Sequence, residues 1–186
     1  MRMNSAVKNL LFGMLGTIAI LGCQNLRPET IELPTYPDLN KLIIEQSRML
    51  ATKSLQKEVT LGEKTETSSF AMDTTKWKSE LAFLEEINPC KPEYVGVYEV
   101  VKDNQVLQLT LGPKEKSVLT ELSIMYQDEE YAQIDASIHE DKDVYTHHRD
   151  ITVVFRNGLI SNWTIQGYQK MMLSDTVRFG ISGNVR

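Results

Sequence analysis

Val153-Val154-Phe155-Arg156-Asn157-Gly158-Leu159-Ile160 holds the dipeptide on which the fold turns. Asn157 and Gly158 both tolerate the positive φ that a type I′ turn demands, and such a pair is the strongest short-range signal for a β-hairpin. Outward from it the apolar period is two. Leu107, Leu109 and Leu111 alternate with Gln108 and Thr110; Leu122, Ile124 and Tyr126 with Glu121 and Ser123; Ile134 and Ile138 with Gln133, Asp135 and Ser137. Strands with one buried face account for this better than helices. Polar turns are expected at Asp103-Asn104, Gly112-Pro113, Asp128-Glu129, Asp141-Lys142, Asn157-Gly158 and Ser174-Asp175. About seven strands from Tyr94 onward, joined by turns this short, must be antiparallel neighbours, because a parallel crossover needs a dozen or more residues. Alternation through Val177, Phe179, Ile181 and Val185 makes the last of them structural as well.

Before Tyr94 the period is helical. Asp38 is placed to cap a helix in which Leu39, Leu42, Ile43, Leu50 and Met49 repeat on one side, with Lys41, Glu45 and Arg48 on the others. This helix is expected to run to about Glu58 and to break at Leu61-Gly62. Residues 62–72, rich in Thr and Ser, read as a loop with room for a short strand near Phe70. Asp73 caps a second helix whose stripe is Trp77, Leu81, Leu84 and Ile87, and Pro89 ends it. A sheet that is apolar on one face must cover that face, and two N-terminal helices are the only cover on offer. The expected fold is therefore α+β: two N-terminal helices packed on a curved antiparallel meander of about seven strands, in a single domain over 38–186.

Ahead of that domain, Leu21-Gly22-Cys23 closes an apolar stretch running from Leu10 through Ile20, behind Arg2 and Lys8. A dozen or so apolar residues are too few to span a bilayer, which takes about 20 in a helix, whereas a basic start, a short apolar core and small residues at the cut make a cleaved export signal. The stretch resembles the signal of bacterial lipoproteins. That resemblance implies cleavage after residue 22, acylation of Cys23 and a membrane anchor of two or three acyl chains. Gln24, where that family places Asp for inner-membrane retention, implies outer-membrane sorting, and the lack of an acidic cluster directly behind Cys23 favours a domain facing the periplasm. Residues 23–37, with Pro28, Pro34 and Pro37, read as an extended tether.

Charge narrows the partners. The chain carries a net −5, and loss of Arg2 and Lys8 with the signal would make the remainder more acidic. An acidic body has no footprint for a phosphate backbone, so nucleic acid is not an expected partner, nor is a bed of anionic headgroups.

Catalytic patterns are thin. Cys90, in Asn88-Pro89-Cys90-Lys91-Pro92, is the one thiol left once Cys23 is acylated, and it reads as an inert, half-buried cysteine where a helix ends. His139, Glu140, Asp141 and Asp143 gather at an expected turn, His147, His148, Arg149 and Asp150 follow on the next strand, and His139 and Asp143 would approach at the base of that turn. Adjacent His147 and His148 point to opposite faces of a strand and cannot share a metal. Ser54 and Lys57 stand at Ser-x-x-Lys spacing on the first helix, without companion motifs. Gly-x-Ser-x-Gly, phosphate-cradling and dinucleotide fingerprints do not occur. No metal or cofactor is expected. Tyr168, Gln169, Lys170, Met171 and Met172 place two methionines late in the sixth strand, as core filler or as a soft surface for a partner.

Helices followed by a meander resemble, in architecture alone, the half-barrels of periplasmic lipoprotein carriers and their outer-membrane acceptors, and the layout is similar to that of many envelope lipoproteins without assigned activity. The expected function is a non-enzymatic outer-membrane lipoprotein acting as an envelope binding or interaction module. The alternative is a carrier or sensor of an apolar ligand lodged between sheet and helices, which a connected apolar cavity of about 300 Å³ or more would favour. A hydrolase using Cys90 or the histidines ranks below both.

Overall fold

The computed structural model describes residues 36–186. Cys23, the signal over 1–22 and the tether up to residue 35 lie outside the described residues. Within them the order is α1 (Leu39–Met49), β1 (Ser54–Leu61), β2 (Lys64–Ala71), α2 (Thr74–Glu80), α3 (Phe83–Glu86), a 3₁₀ turn (Pro92–Tyr94), and then β3 (Tyr98–Lys102), β4 (Val106–Leu111), β5 (Leu119–Gln127), β6 (Glu130–Lys142), β7 (Tyr145–Arg156), β8 (Leu159–Met171) and β9 (Val177–Val185). All nine strands form one antiparallel sheet in the order β2-β1-β9-β8-β7-β6-β5-β4-β3. The fold is α+β. No helix among the described residues is long and apolar enough to cross a membrane.

The meander β3–β9 supplies the expected seven strands, and its turns follow local chemistry. Asn157 and Gly158 take φ of 53° and 73°, and Asp128 and Glu129 take 52° and 67°, so both hairpins close with positive φ at both central residues, as a type I′ turn requires. One turn is displaced. β6 continues to Lys142 and the chain reverses at Asp143-Val144 instead of Asp141-Lys142, so Asp141 faces Thr146 and His139 faces His148 across the ladder. His139 and Asp143 therefore do not meet as expected.

Two further strands come from a stretch expected to be helix and loop. α1 ends at Met49, and Ser54–Leu61 and Lys64–Ala71 form a hairpin around Gly62, whose φ is +60°. β1 then pairs with β9 from Leu55↔Val185 to Leu61↔Phe179, and Ser54 and Arg186 exchange two backbone hydrogen bonds of 2.9 Å. The reason lies in the period. Leu55, Val59 and Leu61 share the parity that puts them on one face of a strand, whereas a helix would turn Leu61 away from Leu55 and Val59. Ser54 and Lys57 thus sit on a strand, three residues apart and on opposite faces, so they cannot act together.

Residues on the inner face of the sheet can be read from the register. Leu55, Trp163, Ile165, Val153, Ile151, Ile134, Ala136, Ile138, Leu122, Ile124, Leu107 and Leu109 are all buried there. The helices cover this face from one end. In α1 Leu39, Leu42 and Ile43 are buried, with Leu50 just beyond it, while Met49 is 51% exposed and lies off the expected stripe. Trp77, Leu81, Leu84 and Ile87 are fully buried, but the helix is interrupted at Leu81-Ala82, so Trp77 lies in α2 and Leu84 in α3, with Leu81 and Ile87 as the residues that end them. Asp38 and Asp73 cap as expected, accepting from the amides of Asn40 (3.0 Å) and Lys76 (2.9 Å).

Two buried amides fasten helices to sheet and to each other. Gln46 donates from Nε2 to the Gly158 carbonyl and accepts from the Ile160 amide, both at 2.8 Å, so α1 grips the Asn157-Gly158 hairpin. Asn88 accepts from the amides of Leu39 (3.3 Å) and Cys90 (3.2 Å) and donates to Asp38 (3.0 Å), which ties the end of α3 to the start of α1.

Candidate functional site

The helices cover only part of the inner face, and a groove opens where their cover stops. α2, α3 and the residues between them form one wall, through Ser79, Glu80, Ala82, Phe83 and Glu86, and the sheet forms the floor. The space is about 490 Å³ and is a shallow depression more open to solvent than enclosed. Trp163 and Ile165 of β8 and Phe179 and Ile181 of β9 make the floor apolar. Trp163 sets its geometry. Its indole stands edge-on to Trp77 at 6.2 Å between centroids and lies 6.2 Å from Phe83. A Cβ on Gly183, its cross-strand partner, would come within 2.1 Å of the Trp163 ring, so only glycine lets the indole lie down on β9.

Charged groups stand around that floor in internally neutral pairs. Lys57 of β1 donates from Nζ to Glu80 at 2.7 Å, and Arg149 of β7 pairs through Nη2 with Glu86. The Nε of Arg149 is buried and has no hydrogen-bond partner among the described residues. His147, beside Arg149 on the same strand and face, has its pKa lowered from the ordinary 6.5, chiefly by burial and then by the Arg149 charge, against a weaker opposing pull from Glu140 and Glu86. It lies 6.1 Å from the Phe179 ring and completes a lining that is as polar as it is apolar.

Beyond the groove no helix among the described residues lies over the inner face. Val59 (40% exposed), Leu61 (58%), Val177 (48%) and Met171 (44%) continue the apolar floor toward the far end of β1, β9 and β8, and Met172 and Leu173 follow at 68% and 95%. The two methionines are thus surface residues, not core filler.

The remaining expected residues lie elsewhere. His148 faces outward: its Nε2 is 3.0 Å from Asp150, and its ring lies between those of His139 and Tyr168, tilted to both, with centroids at 6.0 and 5.5 Å. His147 and His148 are on opposite faces, as a strand requires. Cys90 is exposed, not half-buried. Its Sγ donates to the Tyr36 carbonyl at 3.4 Å, and burial followed by the Asp38 charge raises its pKa, which disfavours the thiolate. No group of three or more His, Cys, Asp or Glu converges to hold a metal ion among the described residues.

The groove itself escaped sequence reading. Its signals were present in period-two residues of β1 and β9, but Lys57, Glu80, Glu86 and Arg149 stand far apart along the chain and meet only when β1 closes on β9. No protein-family model, curated protein or solved structure matches the chain.

Proposed function

We propose that the chain is a non-enzymatic lipoprotein of the outer membrane, anchored through acylated Cys23 and facing the periplasm, that uses the half-covered inner face of its sheet to bind another component of the envelope. The observation that carries this is the groove between α2–α3 and the sheet, running without a break in the register onto the uncovered Val59, Leu61 and Val177. Surface of that character gains free energy when a partner covers it, at about 25 cal/mol for each Å² removed from water.

The disposition of the nucleophile candidates supports a binding role over catalysis. Cys90 favours the neutral thiol, Ser54 and Lys57 are on opposite faces of β1, and His139 and His148 are on the outer face, away from the groove. A nucleophile and its base must stand within about 3 Å of each other or come there with substrate.

Photo-crosslinking in the living cell tests the proposal. With a benzophenone amino acid at Leu61 or Val177, a discrete adduct is expected; at Thr164, on the outer face of β8, none is. Adducts from position 164 alone, or a free thiol at Cys23 in the intact mass of the membrane-purified protein, would overturn it.

A second reading has one observation in its favour. A groove of about 490 Å³ is within the range of small-ligand sites, about 300–1,000 Å³, so a carrier or sensor of an apolar ligand is the alternative. A lipid in place of a protein in the Leu61 adduct would select it.

A further inference from the structure

At the end of the sheet away from α1, two reversals of the chain adjoin outside the groove. β6 and β7 turn at Asp143-Val144, β8 leaves for β9 through Met172 and Leu173, and the Met172 amide donates to the Val144 carbonyl at 3.0 Å. The Ser174 amide bonds back to the Met171 carbonyl at 3.2 Å, so Met172 and Leu173 hold the central positions of a tight turn. Such positions favour Pro, Asn, Asp, Ser and Gly. Here they carry large apolar side chains, 68% and 95% exposed, beside Val144 at 56%. Turn chemistry calls for none of the three, and nothing in the described chain covers them.

This is a projecting tip, not a hollow. A folded partner would have to be shaped to receive it, whereas the hydrocarbon of a bilayer has no shape to match and accepts apolar side chains to a depth of about 5–10 Å. The surrounding charge suits a surface without net charge, because exposed Lys142, Lys170 and Arg178 are matched by exposed Asp141, Asp143 and Asp175. Reach agrees as well. α1 is held on the Asn157-Gly158 hairpin at the opposite end of the sheet, and the chain enters just ahead of α1 at Tyr36. From that end to the tip the sheet measures about 40 Å, the length of the 13 residues of β6. Residues 23–35 number 13 and span about 45 Å when fully extended. An anchor at Cys23 thus lets the tip meet the bilayer that holds the chain, and tethering makes a contact of three side chains effective that would be too weak from solution.

We propose that the joined tip of Val144, Met172 and Leu173 inserts into the interface of the membrane that anchors the chain, so that the lipoprotein stands on its own bilayer and carries the groove at a set height above it. The inference rests on the anchored lipoprotein proposed above. It is tested with full-length acylated protein, purified from membranes and reconstituted into phosphatidylcholine vesicles. A nitrobenzoxadiazole dye is attached at Leu173→Cys in a Cys90→Ser background, and in a second sample at Lys53→Cys, at the α1 end of the sheet. The expected result is a blue-shifted emission at position 173 that is quenched by lipids with a doxyl group on the acyl chain, and neither effect at position 53. Adding Val144→Asp and Met172→Asp is expected to return the dye to water at unchanged melting temperature. If that variant fails to fold, deletion of residues 27–31, which shortens the reach by about 17 Å, is expected to do the same. A dye at position 173 that stays in water, equal quenching at position 53, or quenching that survives whichever of the two changes folds would overturn the proposal. So would a protein adduct, in place of lipid, from a benzophenone amino acid at Leu173 in the cell. Crosslinks at Leu61 and Val177 alongside any of those outcomes would leave the binding face standing and remove only its contact with the membrane, whereas a free thiol at Cys23 would remove both.

Discussion

Gln46 shows how one side chain can hold an element in place. It is 2% exposed on a helix whose other buried residues are mostly apolar, and both ends of its amide are used, by Gly158 and Ile160. Replacement by Leu keeps the volume and leaves the Ile160 amide, and part of the need of the Gly158 carbonyl, unmet. An unmet buried group costs about 1–3 kcal/mol, so Gln46→Leu is expected to lower stability by about 2 kcal/mol in urea titration, with α1 losing its hold on the hairpin. His147 gives a pH dependence. Its pKa in the folded protein is below the ordinary 6.5, so the unfolded chain takes up the proton more readily. The stability that neutral His147 contributes is complete above 6.5 and is lost as the pH falls from there toward the lower folded value. Melting temperatures between pH 7.5 and 5.5 are expected to fall more steeply in the native protein than in His147→Gln.

At the scale of elements, hairpins and caps were legible in the sequence because each depends on a few adjacent residues. Asp38, Asp73, Asn157-Gly158 and Asp128-Glu129 all do what their chemistry favours. The last of these is imperfect, since Glu129 at φ 67° bears a Cβ where glycine would be unstrained. Asp128→Asn with Glu129→Gly is expected to stabilise the protein by about 0.5–1 kcal/mol, read as a raised urea midpoint with an unchanged slope. The β1–β2 hairpin was less legible. Lys57 interrupts the apolar alternation of Leu55, Val59 and Leu61, and it makes sense on an inner face only with Glu80 opposite. A polar residue at a position that alternation assigns to the core is a signal of a partner that sequence cannot supply.

For the whole molecule, one sheet joins parts of unequal depth. β7 and β8 lie at its middle, each paired on both sides over most of their length, while β2 is an edge strand exposed at every position. Native-state hydrogen exchange is expected to follow that gradient, slowest at Ile151, Val153 and Ile165 and fastest in β2, where opening exposes little apolar surface. Equal protection in β2 and β7 would mean that the outer hairpin is buried by something more than this chain. The sequence alone settled the antiparallel meander, most of its turns and the presence of a helical cover, since period, cap and turn chemistry act over a handful of neighbouring residues. Only the tertiary structure decided that the hairpin over 54–71 closes on β9, and that Lys57, Glu80, Glu86, His147 and Arg149 share one groove. Those contacts join residues remote along the chain, and the energy that selects them comes from packing and charge pairing that exist only once the sheet has formed.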